Sequence, residues 1–381
     1  MLVALAACTE AADTGSPAVL AQAPPPVAPP PPPEPIDASG DAIDEEAAAS
    51  RVLTVYPRVG ATTDDTTTPH GPGLVLDGGT LVGAALVWAR DTLGGAPASS
   101  RAFDAVVVSA TAGDQSLGLY GAAQLGSTQT LVLPPNAGAA DFAAAAAIVD
   151  HAELVLLPGG EQNAYVAWKG TALGKSIQGV YDRGGVVVGT SAGGLVMGAF
   201  AFDAVAAGIS ENVTPEVALA NPFDPLISFT RHMFAFPPLA DAITEVHFEQ
   251  RDRMGRLAMF MARQHADGAI ARNPPFVLGI AVDEHAAIVI DKSSTGTLVR
   301  DADAARAFLV KGGAPTTCVP GQRLAYAGLE VHRLDDPSQT FDFTRWCGTA
   351  PVYTLDISAD AAAPFGDASP YDRPATASAC P

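Results

Sequence analysis

The sequence predicts an α/β protein built on a parallel sheet flanked by helices, and three observations carry that prediction. The runs Val106-Val107-Val108, Leu154-Val155-Leu156-Leu157 and Val186-Val187-Val188 are apolar on both faces, as strands covered by helices on both sides must be. Helix-like stretches separate them, giving a βαβ series. Two runs end in glycine-rich turns, Asp77-Gly78-Gly79 and Pro158-Gly159-Gly160, and one passes straight into Gly189-Thr190-Ser191-Ala192-Gly193. Sheets of this kind bind ligands beyond the carboxyl ends of their strands, so the residues after each run are where chemistry is expected.

In chain order, residues 1–8 read as a partial export signal. Met1 to Ala7 is a short apolar run closed by Leu5-Ala6-Ala7-Cys8, which resembles the lipobox of bacterial lipoproteins, where the cysteine is lipidated. Residues 9–50, with Pro24-Pro25-Pro26 and Pro29 to Pro33, read as a disordered, Pro-rich tether. The expectation is an exported chain, lipid-anchored at the cell envelope. No later stretch reaches the roughly 18 apolar residues of a spanning helix, so the anchor would be its only contact with the membrane.

Residues 51–295 form the predicted catalytic domain. Strands are expected at Gly73 to Gly79, Phe103 to Ser109, Thr128 to Leu133, Leu154 to Leu157 and Val186 to Val188. Helices are expected at Leu81 to Leu93, Asp141 to Val149 and Lys175 to Arg183, with another from Gly194 to Phe200. Ser191 then sits on a sharp strand-to-helix corner, a nucleophile elbow, whose flanking glycines let the backbone turn within a few residues. The helix that follows aims free N–H groups and its positive dipole end at the same point. Backbone N–H groups of the Gly159-Gly160 turn and of Ala192 lie at the same sheet edge and could form an oxyanion hole at Gly160 and Ala192.

Further along, Glu245-Val246-His247-Phe248-Glu249-Gln250-Arg251-Asp252-Arg253-Met254-Gly255-Arg256 places three arginines close together in a chain with only 21 Lys and Arg. A helix starting near Arg253 would put Arg253 and Arg256 on one face, and such arginines can hold carboxylates bidentately. Among the seven histidines, His247 has the best context for a general base. Val277 to Val282 reads as a strand ending in Asp283-Glu284, and an acid at a strand end can orient a histidine.

Composition sets the outer limits. The formal charge of −20 and 48% hydrophobic content describe a folded acidic protein and argue against nucleic acid as a partner, because phosphate binding needs clustered Lys and Arg. No Cys-x-x-Cys or His/Cys cluster at metal spacing occurs, so neither a metal nor a cofactor is expected.

Four of these stretches occur together and in order: Gly159-Gly160-Glu161-Gln162, Gly189-Thr190-Ser191-Ala192-Gly193, His247-Phe248-x-x-Arg251-x-Arg253-x-x-Arg256-Leu257 and Gly279-Ile280-Ala281-Val282-Asp283-Glu284. In this combination the chain resembles the cyanophycinase family of serine exopeptidases (peptidase family S51). More distantly it is similar to dipeptidase E, of the flavodoxin-like class I glutamine-amidotransferase-like fold. The resemblance spans about Gly73 to Ile290.

The resemblance implies that Ser191 is the nucleophile, His247 its base and Glu284 the acid that orients the imidazole. It places Gln162, Arg251, Arg253 and Arg256 in the substrate pocket. It also implies a peptide substrate, either cyanophycin, a poly-aspartate carrying arginine on its β-carboxyls, or a related β-aspartyl or acidic peptide. The family has Asp-Gln or Asp-Ser before the histidine where this chain has Glu245-Val246, so one polar pocket contact is expected to be missing. Two other readings stay open: an α/β-hydrolase-type esterase, which would need an acid between serine and histidine in the chain, and a non-catalytic anchored peptide-binding protein. A homodimer is also left open.

Residues 296–381 alternate short apolar runs with Gly and Pro and predict a small β-rich extension, poorly ordered after Ala361. They hold Cys318, Cys347 and Cys380, enough for one disulfide with one thiol left over.

Overall fold

In the computed structural model, which describes residues 52–95 and 102–380, the apolar runs become strands of two sheets. Cys8 and the tether over 9–50 lie outside the described residues. The first elements are β1 (Thr54–Val55), β2 (Val59–Gly60), β3 (Gly73–Asp77), α1 (Gly83–Gly94), β4 (Asp104–Ser109), α2 (Ser116–Ala123), β5 (Ser127–Val132) and α3 (Ala139–Val149). Then follow β6 (Leu154–Leu157), α4 (Gln162–Val166), α5 (Ala172–Asp182), β7 (Val186–Thr190), α6 (Ala192–Leu195), β8 (Phe200–Phe202), α7 (Pro215–Ala220), β9 (Phe229–Arg231), β10 (Ala242–Val246) and α8 (Met254–Ala266). The rest is β: β11 (Val277–Val282), β12 (Ala286–Ile290), β13 (Thr295–Arg300), β14 (Ala307–Gly312), β15 (Tyr326–Leu334), β16 (Thr340–Asp342), β17 (Cys347–Gly348) and β18 (Val352–Ile357).

The heart of the first sheet is the predicted parallel set, in the spatial order β5-β4-β6-β7-β3. β1 and β2 pair antiparallel with β5 at one edge, and β12, β13, β16 and β17 continue antiparallel beyond β3. The second sheet runs β18-β15-β14-β11-β10-β8-β9, with β10 parallel to β8 and β11.

Alternation along the strands sorts their side chains into layers. Leu74 and Leu76 of β3 share one core with Leu278, Ile280 and Val282 of β11, so the two sheets bury these faces together. Val75 of β3, with Val186 and Val188 of β7, turns the other way onto α1. On the far side of the second sheet, Ile243, Val277 and Ala281 pack on Leu257, Ala258 and Met261 of α8.

Three local expectations are corrected. The helix expected from Gly194 to Phe200 stops at Leu195, and Phe200-Ala201-Phe202 forms β8 between β10 and β9. Gly194 and Gly198 weaken a helix in that stretch, and the aromatic residues gain more from the sheet. The C-terminal strands are not an appendage: β13, β16 and β17 extend the first sheet, and β14, β15 and β18 extend the second.

The chain after Ala361 is tied down rather than loose. A disulfide joins Cys347 to Cys380, leaving Cys318 free, and Tyr371 is buried against Phe248 and Phe308. Covalent closure and one aromatic anchor hold a segment that has few apolar residues of its own. Among the described residues, no helix is long and apolar enough to cross a membrane.

Candidate active site

β6, β7 and β3 are neighbours and run parallel, so the turns after them meet at one edge of the first sheet. These turns are Gly159-Gly160, Ser191 and Gly78-Gly79. Ser191 has φ 52° and ψ −120°, a backbone that a non-glycine residue adopts only when its surroundings impose it. The imposition is steric and polar. A Cβ at Gly193 would stand 2.0 Å from the Leu157 carbonyl oxygen, so only glycine lets the elbow close onto β6. The Ser191 N–H donates to the Asp77 carbonyl across the strand ends, at 3.3 Å.

Asp77 is a residue that sequence reading passed over. Its fully buried carboxylate accepts the N–H groups of Gly79, Leu81 and Val82 at 2.8–2.9 Å and the Thr190 hydroxyl at 2.6 Å. It thereby ties the turn after β3 to the residue before Ser191. The available signal was its place, an acid at a strand end immediately before Gly-Gly.

The second sheet supplies the other half. β10 and β11 are parallel neighbours, so His247, directly after β10, and Glu284, two residues after β11, emerge side by side. The His247 N–H donates to the Gly78 carbonyl at 2.9 Å, joining the two sheet edges. Gly79, at φ +140°, lies flat against the imidazole, where a Cβ would come within 2.1 Å of Cε1. His247 Nε2 is 2.8 Å from Ser191 Oγ, and its Nδ1 is 2.6 Å from Glu284 Oε1.

Of the two acids that end β11, the structure separates the roles. Glu284 meets the histidine. Asp283 is turned inward, accepts the N–H groups of Glu249 and Arg306, and is pushed up to about 6 by burial and by the nearby Glu249 carboxylate.

Burial lowers the His247 pKa from its ordinary value. The charges of Arg251 and Arg253 act in the same direction, against the opposing pull of Glu284. The imidazole is therefore neutral at neutral pH, with Nδ1–H donating to Glu284 and the Nε2 lone pair facing the serine hydroxyl. Among the described residues, the N–H groups of Gly160 and Ala192 have no protein acceptor, and both residues border the same cleft as Ser191.

That cleft, about 180 Å³, is also lined by Glu161, Gln162, Glu211, His247, Arg251 and Arg253. Gln162 is buried, with Nε2 directed at the Phe202 carbonyl (3.4 Å) and Oε1 left without a partner. The three arginines separate. Arg251 is partly exposed and Arg253 is 3% exposed, and both border the cleft. Arg256 is 1% exposed and lies behind them, bonded to Glu245 at 2.7 and 2.8 Å and to the carbonyls of Ser210 and Val213. Its expected place in the substrate pocket is corrected: the helical spacing aligned it with Arg253, and burial turned both toward Glu245.

Of the pair before His247, Val246 borders the cleft, whereas Glu245 sits inside the fold. It is fully buried and bonds Arg253 Nη1 at 3.0 Å as well as Arg256. Burial alone would raise its pKa, but the guanidiniums of Arg256 and Arg253 hold it below the usual value. Arg253 is drawn down to about 10 by burial and stays charged at neutral pH. No group of three or more His, Cys, Asp or Glu is placed to hold a metal among the described residues.

No protein-family model and no curated protein matches the sequence. Among solved structures, the chain is similar to a peptidase from an acI-B1 actinobacterium at 15% identity and a TM-score of 0.42, over 66% of this chain and 98% of that one. It is also similar to a protein assigned as peptidase E from Listeria monocytogenes EGD-e at 15% identity and a TM-score of 0.36, over 61% of this chain and all of that one. The functional reading therefore rests on the chain's own residues.

Proposed function

We propose that the protein is a serine-type peptidase that works through an acyl-enzyme, with cyanophycin or a related β-aspartyl or acidic peptide as substrate. The observation that carries this reading is the unbroken hydrogen-bond chain from Ser191 Oγ through the His247 ring to Glu284 Oε1, at 2.8 and 2.6 Å. His247 Nε2 takes the hydroxyl proton as Ser191 Oγ bonds to the scissile carbonyl carbon. The Gly160 and Ala192 N–H groups receive the oxyanion. Collapse breaks the C–N bond, and the proton on Nε2 goes to the leaving amine. Water, deprotonated by the same nitrogen, then hydrolyses the ester and restores the serine.

The acid bonded to His247 follows it in the chain, whereas the esterase order would place the acid between serine and histidine. The guanidiniums of Arg251 and Arg253 at the cleft support an acidic substrate. The Cys347–Cys380 disulfide supports the exported reading, because such bonds persist in oxidising compartments.

The test is release of β-Asp-Arg from purified cyanophycin, beside an α-linked control peptide. Ser191→Ala and His247→Ala should each lower turnover by about 10³-fold or more with unfolding curves unchanged. Near-normal turnover in either variant rejects the mechanism; intact cyanophycin with fluorophosphonate labelling of Ser191 rejects the substrate alone.

A further inference from the structure

The arginines bordering the cleft are already engaged by a residue of this chain. Glu211, in the segment between β8 and α7, directs the same carboxylate oxygen to Arg251 Nη1 and, at 3.3 Å, to Arg253 Nη2. The segment that carries it is fastened from below. Arg256 Nη1 donates to the Ser210 carbonyl (3.0 Å), the Ser210 hydroxyl (3.3 Å) and the Val213 carbonyl (3.3 Å), while Glu161 accepts the Ser210 N–H at 3.4 Å. Arg256 is itself fixed by Glu245 and lies over the rings of Phe202 and Phe260. The backbone under Glu211 is thus anchored, whereas its side chain is 50% exposed.

The charges agree with this division of labour. Glu245 is buried and shared by Arg253 and Arg256, so it offsets charge there but is out of reach of any ligand. Glu211 is the solvent-exposed partner of Arg251 and Arg253.

We propose that Glu211 is an internal occupant of an anion subsite formed by Arg251 and Arg253, and that acidic ligands enter by displacing it. The proposal rests on the catalytic reading of Ser191, His247 and Glu284, since the subsite matters through its place beside them. One carboxylate replaces another on the same guanidiniums, so the competition weakens binding without abolishing it. A free carboxylate gains little from that exchange. A carboxylate joined to a peptide already held at Ser191 competes at a high effective concentration and wins. Glu211 therefore filters out small free acids in favour of acidic peptides.

Calorimetric titration of the full chain with succinate reads the subsite directly. Protection of Ser191 from a fluorophosphonate by succinate reads it through the nucleophile. Glu211→Gln is expected to bind succinate about fivefold more tightly than the unaltered protein, the strength of an exposed ion pair, and to be protected at correspondingly lower concentration. In an Arg251→Gln background the same change should alter binding less than about twofold, because the principal partner of Glu211 is gone. Unchanged or weaker succinate binding by Glu211→Gln overturns the proposal. A fivefold calorimetric shift with Ser191 unlabelled keeps the subsite and rejects the catalytic reading; labelling without the shift does the reverse.

Discussion

The two halves of the site are built by different physics. The serine half lies at the ends of adjacent parallel strands, and backbone sterics hold it: Gly193 lets Ser191 close onto β6, and Asp77 ties the neighbouring turns together. The histidine half hangs on buried charge and distant contacts. Glu245 sits between Arg253 and Arg256 under the loop that carries His247, and Gly79 from the other sheet walls the imidazole. Tyr371 from the C-terminal segment donates to Asp252 at 2.8 Å and packs on Phe248, the residue after His247. A short motif can specify the first half, whereas the second needs the whole fold.

That contrast can be broken at its strongest point by Glu245→Gln. Removing the anion leaves two buried guanidiniums without their partner, so the histidine half should lose stability by about 3–5 kcal/mol. Urea unfolding measures this, and a loss below about 1 kcal/mol would mean that the buried charges do not organise this half.

Gly79→Ala should come next. Its Cβ would collide with the His247 ring, and moving the imidazole by about an ångström is expected to lower kcat/KM about 100-fold. Peptide turnover checks this with the fluorophosphonate labelling rate alongside, and an active variant would show that the ring tolerates the shift.

The smallest effect sharpens the electrostatic side. The proposed mechanism needs neutral His247, so kcat/KM should fall as pH drops through a value below 6.5, the lowering arising from burial and from Arg251 and Arg253. Arg251→Gln removes one of those charges and should move the acid limb to higher pH. A limb that stays in place would assign the shift to burial and Arg253 alone.

The candidate site was legible in the sequence to the degree that it is local. Ser191 between its glycines, the Gly-Gly turn and the strands leading to both are short patterns with one steric meaning each. The arginines mark the limit. Spacing placed Arg253 and Arg256 on one helical face, yet it could not say that the face is turned to a buried glutamate. Nor could it show that Glu245 anchors two guanidiniums. Glu211 carried no pattern and Asp77 only its place before Gly-Gly, because their roles depend on turns brought together from separate strands.

The C-terminal quarter shows the same division on a larger scale. Its alternating runs were readable as strands, since period-two burial is written in consecutive residues. Their sharing between two sheets was not, because strand pairing is a choice among distant partners. By itself, the sequence determined an α/β sheet with a serine elbow at its carboxyl edge, since local sterics and hydrophobic periodicity act within a few residues. The tertiary structure decided which acid meets His247, which arginines face the cleft and which carboxylate occupies them. Those outcomes depend on burial and on distances between chain segments that only folding brings together.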